Sequence, residues 1–343
     1  MNDPVLDTLC LPLADGTITL PEEGPALFLR ARTGEALRRL QRDRFLCDQS
    51  FKPAHDALAR DSFAVRDHET PERYGLTLVL PPRQREEGRA LLARAIRTTR
   101  EGGVVMAAVS NLEGAKTVEN DLKSLAGHIT ALSKNKCRVF WARIEANRLN
   151  GERLEEWTEL DAPRRVADDR FLSRPGLFAW DHLDAGSRFL VDNLPPAMSG
   201  KVADLGAGFG YLGDEVLTRY PQVTRLDAIE GEARAVDMAR QNLARFGERA
   251  QCHWLDATGP LPGLYDTIVS NPPFHIDRAD RHDLGRAFIL SAARALAPSG
   301  TLWMVANRHL PYEDTLKGAF KSVTTPAENP NFKVFRAVGP KKS

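Results

Sequence analysis

Two nine-residue segments, YGLTLVLPP from Tyr74 to Pro82 and YDTIVSNPP from Tyr265 to Pro273, set the strongest limit on how this chain folds. In each, an apolar run of the kind buried inside a parallel sheet stops at Pro-Pro, and two prolines forbid both a longer strand and an immediate helical turn. The chain therefore breaks into a rigid loop at the strand's carboxyl end, which is where open α/β sheets bind ligands. Gly102 to Met106 echoes Ser299 to Trp303, and Lys136 to Ala142 echoes Asn331 to Ala337, at nearly the same separation. Repeated segments in a constant order mark an internal duplication, with coincidental βαβ periodicity as the alternative.

The second copy carries chemistry that the first lacks. The side-chain oxygen of Asn271 and the carbonyl oxygen of Pro272 are acceptors, and proline adds no competing N–H. Two such acceptors suit the two N–H groups of one exocyclic amine, and Phe274 offers a ring to stack on the one bearing that amine. Taken alone, NPPF also fits a plain strand-to-loop break with a core phenylalanine. Upstream, VADLGAGFG from Val202 to Gly210 precedes the helix-like run Tyr211 to Tyr220, so a strand, a glycine turn and a helix start follow in order. Gly206, Gly208 and Gly210 are spaced more tightly than GxGxxG, which fits a nucleoside ligand without pyrophosphate. Asp204 before them repels anions and suits an ammonium group. The strand-like run Thr224 to Glu230 ends in an acid able to accept both ribose hydroxyls. A further run, Ala250 to Leu255, leads to Asp256-Ala257, where a carboxylate suits an adenine amino group. Either acid, alone, also fits a solvated loop carboxylate or a helix N-cap.

With these residues in hand, the chain resembles the class I S-adenosylmethionine-dependent methyltransferases, in the amino-methylating branch. SNPPFH at Ser270 to His275, VANRHLPYEDTL at Val305 to Leu316, FKVFRA at Phe332 to Ala337 and RPGLFAWDHLDAGSRFLVDNLP at Arg174 to Pro195 narrow the resemblance to the guanine-N2 methyltransferases of ribosomal RNA. The specific motifs run from about Phe171 to the C-terminus, with thinner likeness before. The resemblance implies an α/β fold with two tandem Rossmann-like methyltransferase domains, the N-terminal one degenerate and the C-terminal one built on a seven-stranded, mostly parallel sheet.

It further implies S-adenosyl-L-methionine as cofactor, no metal, and a guanine of ribosomal RNA, in the 16S RNA or the small subunit, as substrate. Asn271, Pro272 and Phe274 would then carry the chemistry. Asp184, Ser187, Asp204, Gly206, Gly208, Gly210, Glu230, Asp256, Ala257 and Asn271 would surround the cofactor, and Arg174, Arg308 and Lys333 would touch RNA. A large-subunit guanine, an adenine N6 group and a protein glutamine amide are rival acceptors, since each presents a planar nitrogen. A non-catalytic RNA-binding assembly factor is the rival outside enzymes, and the intact Asn271, Asp204 and Glu230 weigh against it.

The first copy has no glycine loop. Its first strand, Ala26 to Leu29, leads into Arg30-Ala31-Arg32-Thr33-Gly34, and Leu80 stands where Asn271 is expected. Its expected role is a scaffold that contacts RNA without holding the cofactor. The charged stretch from Asn147 to Asp169 separates the halves, giving domains 1–155 and 156–343, with Trp157 as a packing residue at the junction. Length and 42% hydrophobic content suffice for two cores. Cys10, Cys47, Cys137 and Cys252 are scattered without a CxxC pair, and the longest apolar run, Val104 to Val109, is too short to span a bilayer. Both point to a soluble cytoplasmic protein. A net charge of +1 does not by itself suggest RNA. The six arginines from Arg30 to Arg44, expected on a helical stretch, the arginine-rich Arg83 to Arg100 and the basic Lys134 to Arg138 are candidate phosphate contacts or solvated faces. His182 reads as a turn residue.

Overall fold

The computed structural model describes residues 3–66, 72–273, 275–276, 279–280 and 282–341. The chain divides into two compact units, Met1–Ala162 and Pro163–Ser343. In the first, strands β1 (Ala26–Leu29), β2 (Phe45–Asp48), β3 (Ala64–Arg66), β4 (Tyr74–Val79), β5 (Thr99–Ser110), β6 (Thr130–Lys134) and β7 (Cys137–Arg143) form a seven-stranded sheet of order β3-β2-β1-β4-β5-β7-β6. β7 runs antiparallel to both its neighbours, and the other pairs are parallel.

The second unit opens with a short antiparallel pair, β8 (Arg164–Val166) and β9 (Phe171–Ser173). Its main strands are β10 (Gly200–Leu205), β11 (Val223–Glu230), β12 (Ala250–Trp254) and β13 (Tyr265–Ser270). After the small pair β14 (His275–Ile276) and β15 (Ala279–Asp280) come β16 (Leu296–Asn307), β17 (Phe320–Glu328) and β18 (Phe332–Pro340). The seven-stranded order β12-β11-β10-β13-β16-β18-β17 repeats that of the first unit. Central strands are covered on both faces, so their apolar residues run on without strict alternation. Along β10, Val202 joins one apolar cluster and Ala203 and Leu205 the other, and Val269 and Ile268 of β13 divide in the same way. No helix among the described residues is long and apolar enough to cross a membrane.

Strand register turns the repeat into a residue-by-residue correspondence. Leu29 pairs with Val79 as Leu205 pairs with Ser270, so the buried Leu80 occupies the place of Asn271. Leu29 pairs with Asp48 as Leu205 pairs with Ile229, which puts Gln49 in the place of Glu230. Arg30, Arg32 and Gly34 then match Gly206, Gly208 and Gly210. Arg30 keeps a left-handed backbone, φ 51°, where Gly206 has φ 77°. Gln49 also keeps the architecture of its counterpart: it accepts from Phe51 N at 2.8 Å and donates to Ala31 O at 2.7 Å. Glu230 accepts from Glu232 N and Gly208 N, each at 2.9 Å. The loop tie is present in the first unit although two of the three glycines are replaced by arginine.

The arginine-rich stretch of the first unit departs from expectation. It is not one helix but a four-residue turn of helix, Glu35–Arg38, and a 3-10 turn, Arg42–Arg44. Only Leu37 of the first is buried, too little apolar stripe to hold a longer helix. The side chains are committed within the unit: Arg30 to Glu87, Arg32 to Asp3, Arg38 and Arg39 to Glu35, Arg42 to the Asp61 carbonyl and Arg44 to the Pro21 carbonyl. Trp157 packs in the first unit's core with the Arg89 guanidinium 4.5 Å above its ring.

Candidate functional site

At the carboxyl ends of β10 and β13 lies a hollow open to solvent, and Asp184, Ser187, Gly206, Gly208 and Asn271 are among its walls. β13 delivers Asn271 there because Pro272 and Pro273 end the strand at that residue. Asn271 is 8% exposed. Its Nδ2 donates to Asp184 Oδ2 and to Ser187 Oγ, both at 2.8 Å, while its Oδ1 is buried and accepts no hydrogen bond among the described residues. A buried acceptor left unpaired is costly.

Asp184 and Ser187 arrive from helix Ala185–Asp192, for which Asp184 is the N-cap: its side chain accepts from Ser187 N at 2.7 Å. Gly186 between them has no side chain for a reason. A Cβ there would lie 3.1 Å from Asp184 Oδ2 and 3.2 Å from the Phe332 ring.

The glycine loop lies above Asp204 and beside Glu230. Gly208 has φ 55° and open space where a Cβ would project, so its backbone faces the hollow bare. Gly210, φ 95°, caps helix Tyr211–Arg219, and a Cβ there would press on Leu243 and Ala239 of helix Ala233–Leu243 at 3.3–3.4 Å. Asp204 is completely enclosed and does not line the hollow; its Oδ2 accepts from Gly213 N at 3.1 Å in the first turn of the helix. Burial pushes its carboxyl up to about 7, the Gly213 amide opposes this, and the nearby Glu230 charge adds to it. Burial likewise holds the Glu230 carboxyl above the usual range, against hydrogen bonds from the Glu232 and Gly208 amides.

The remaining expected residues lie elsewhere. Asp256 Oδ1 accepts from both the amide and the hydroxyl of Thr258, at 2.9 and 2.7 Å, and closes a turn after β12, while Ala257 is buried in an apolar cluster. Neither lines the hollow. Lys333 is a correction: expected at an RNA-facing rim, it is 8% exposed, bonded to Glu313 and set 5.2 Å from the Phe335 ring, because its strand β18 lies inside the sheet. Arg308 is exposed, with Glu328 at 3.8 Å, and Arg174 is half-buried. Pro272 is buried beside Asn271, and Phe274 lies outside the described residues. His182 is an exposed turn residue whose Nδ1 is 2.7 Å from Asp181.

Sequence reasoning missed Phe178 and Ala179, which also line the hollow, together with Phe209, Tyr211 and Leu212 next to the glycines. Phe178 is 60% exposed, and Ala179 takes the left-handed backbone at φ 48°, unusual for a residue with a Cβ. The only sequence signal was their place in the RPGLFAW segment.

A doubly wound sheet with one antiparallel strand next to its edge, a glycine loop after the first strand, an acid after the second and Asn-Pro-Pro after the fourth defines a class I methyltransferase. Residues 168–336 match the family described as Methyltransferase small domain. A ribosomal RNA small subunit methyltransferase C of Shewanella halifaxensis is 30% identical over 277 residues, 79% of this chain and 80% of that protein. Its namesake from Alcanivorax borkumensis is 33% identical over 229 residues, 64% of this chain and 68% of that protein. The chain belongs to the family of ribosomal RNA small subunit methyltransferase C. Its fold, across 98% of this chain and 92% of the other, matches the T. thermophilus 16S rRNA N2 G1207 methyltransferase in complex with AdoMet and guanosine, with a TM-score of 0.81 at 23% identity.

Proposed function

We propose that the second unit transfers the methyl group of S-adenosylmethionine to the exocyclic N2 amino group of a guanine in small-subunit ribosomal RNA. The observation that carries this reading is the buried, unpaired Oδ1 of Asn271 at the edge of the hollow. It supports an acceptor for one amino hydrogen, with the Pro272 carbonyl as acceptor for the other.

The site's residues suit the cofactor. Gly206 and Gly208 let a nucleoside approach the backbone, and Glu230, tied to the loop amides, keeps lone pairs for ribose hydroxyls. The cofactor when bound supplies an electrophilic sulfonium methyl. Asn271 and Pro272 hold the amine so that its lone pair, otherwise delocalised into the ring, points along the line of attack. As the N–C bond forms the S–C bond breaks. The alkylated nitrogen becomes acidic and loses its proton to water, so no dedicated base is required. Phe274 would stack on the base, which must leave any helix it occupies.

Arg174 and Arg308 are proposed RNA contacts. The Arg308–Glu328 pair is more than half exposed on both sides and too weak to compete with a phosphate. The first unit is proposed to serve as an RNA-contacting scaffold, and the protein to act in the cytoplasm, where ribosomal subunits are its substrate.

Tritiated methyl transfer to purified small and large subunits lacking modification, followed by nucleoside analysis, tests this reading. Label in N2-methylguanosine from the small subunit is expected. Label in N6-methyladenosine, in protein or in the large subunit would replace the substrate, and bound cofactor without transfer would favour an assembly factor.

A further inference from the structure

The function proposed for Asn271 requires one of two orientations of its amide. With Oδ1 toward the guest it accepts an amine N–H. Flipped by half a turn, it sets an NH₂ against an NH₂, and the site repels what it is meant to hold. An asparagine at the end of a strand has no intrinsic preference between these states, so something outside it must choose.

We infer that Asp184 is the residue that chooses, with Ser187 as its second. Both are positioning residues, acting through Asn271. This inference rests on the proposed function of Asn271. Asp184 Oδ2 and Ser187 Oγ each take one hydrogen of Asn271 Nδ2 at 2.8 Å, so both N–H groups are satisfied by the protein and Oδ1 is the atom left without a partner among the described residues. The two partners are not equivalent. A serine hydroxyl both donates and accepts, so it would satisfy a flipped amide as well. An ionised aspartate only accepts, and a flipped amide would place Oδ1 against its carboxylate.

The carboxylate is itself fixed. The same Oδ2 caps helix Ala185–Asp192 through Ser187 N at 2.7 Å, and the absence of a side chain at Gly186 leaves room for it. The helix cap and the orientation of the reactive asparagine are therefore one device, which explains why Asp-x-Gly-Ser stands as a unit 84–87 residues before Asn271 in the chain.

The test is Asp184→Asn. Asparagine caps a helix as well as aspartate, so the thermal midpoint is expected to hold. Its N–H, however, can now satisfy a flipped Asn271. With S-adenosylmethionine and unmodified small subunits, kcat is expected to fall by about tenfold or more, with the KM for subunits and the cofactor Kd little changed. In an Asn271→Ala background the same substitution should have no further effect on kcat, whereas a structural or cofactor-holding role for Asp184 would still reduce it there. Unchanged kcat in Asp184→Asn, or activity and cofactor affinity lost in parallel, would overturn the inference.

A second readout does not depend on the substrate. In protein labelled with ¹⁵N-asparagine, the Asn271 side-chain amide, assigned by its absence in Asn271→Ala, is expected to exchange slowly in the wild type and fast in Asp184→Asn. Fast exchange in the wild type would overturn the inference whatever the enzyme methylates. Wild-type protein that transfers no label to guanine N2, yet shows the protected amide, would overturn the substrate and leave the positioning role standing.

Discussion

Asn271 at the hollow and the enclosed Asp204 beneath the glycine loop each leave one buried oxygen unpaired among the described residues, Oδ1 in both. An unsatisfied buried acceptor costs about 1–3 kcal/mol. For Asn271 the proposed use is to accept from the amine of the guest. Asn271→Ala is expected to lower kcat on the order of 10²- to 10³-fold, as for loss of one preorganised hydrogen-bond partner, while isothermal titration finds cofactor binding largely intact. Loss of cofactor binding with an unaltered residual rate would contradict that role. For Asp204 the consequence is a pH dependence of stability. Its folded pKa, about 7, lies above the ordinary value of 3.8, so folding favours the protonated form. Its contribution is complete below the unfolded pKa and is lost as pH rises through about 7. At about 1.4 kcal/mol per pKa unit, full ionisation in the enclosed site costs up to about 4 kcal/mol. Asp204→Asn keeps the acceptor for Gly213 and removes the charge. Urea unfolding is expected to show the wild type losing stability relative to this variant between pH 4 and pH 8, and parallel curves would rule the explanation out.

At the scale of elements, the glycine loop separates two kinds of demand that the motif alone cannot tell apart. Gly208 has open space at its Cβ position beside the hollow, whereas the Cβ position of Gly210 faces the next helix. Gly208→Ala should weaken cofactor binding markedly at a cost in stability of about 1 kcal/mol from the left-handed backbone. Gly210→Ala should lower the melting temperature more, by about 1–3 kcal/mol of overpacking added to the same backbone strain. Calorimetry and cofactor titration on the two variants check this division. The strands Ala26–Leu29, Val223–Glu230, Ala250–Trp254 and Tyr265–Ser270 were legible: each falls within a residue of the run expected from sequence, most plainly Ala26–Leu29, where burial at every position leaves an uninterrupted hydrophobic signature. The expected helix across Arg30 to Arg44 was not, because arginine has high helix propensity yet here is drawn to carboxylates far away in sequence, such as Glu87 and Asp3.

At the scale of the molecule, the two units share one strand order but not one chemistry. Arg30, Arg32, Gln49 and Leu80 stand where the second unit has Gly206, Gly208, Glu230 and Asn271 of the proposed site, so titration of the whole chain with S-adenosylmethionine is expected to give one site per chain. Two sites of comparable affinity would mean that the first unit retains a pocket of its own. The duplication, the strands, the loop and the asparagine could all be read in the sequence, because each rests on local physics: periodicity, proline's missing N–H and glycine's backbone freedom. What the tertiary structure decided is which groups meet across long stretches of chain. Asp184 and Ser187, expected from sequence around the cofactor, line the hollow and also hold the amide of Asn271. Lys333, read as a cation for RNA, is buried against Glu313. The direction of a side chain and the partner that satisfies it depend on strands and helices brought together by the sheet, and no local pattern encodes that meeting.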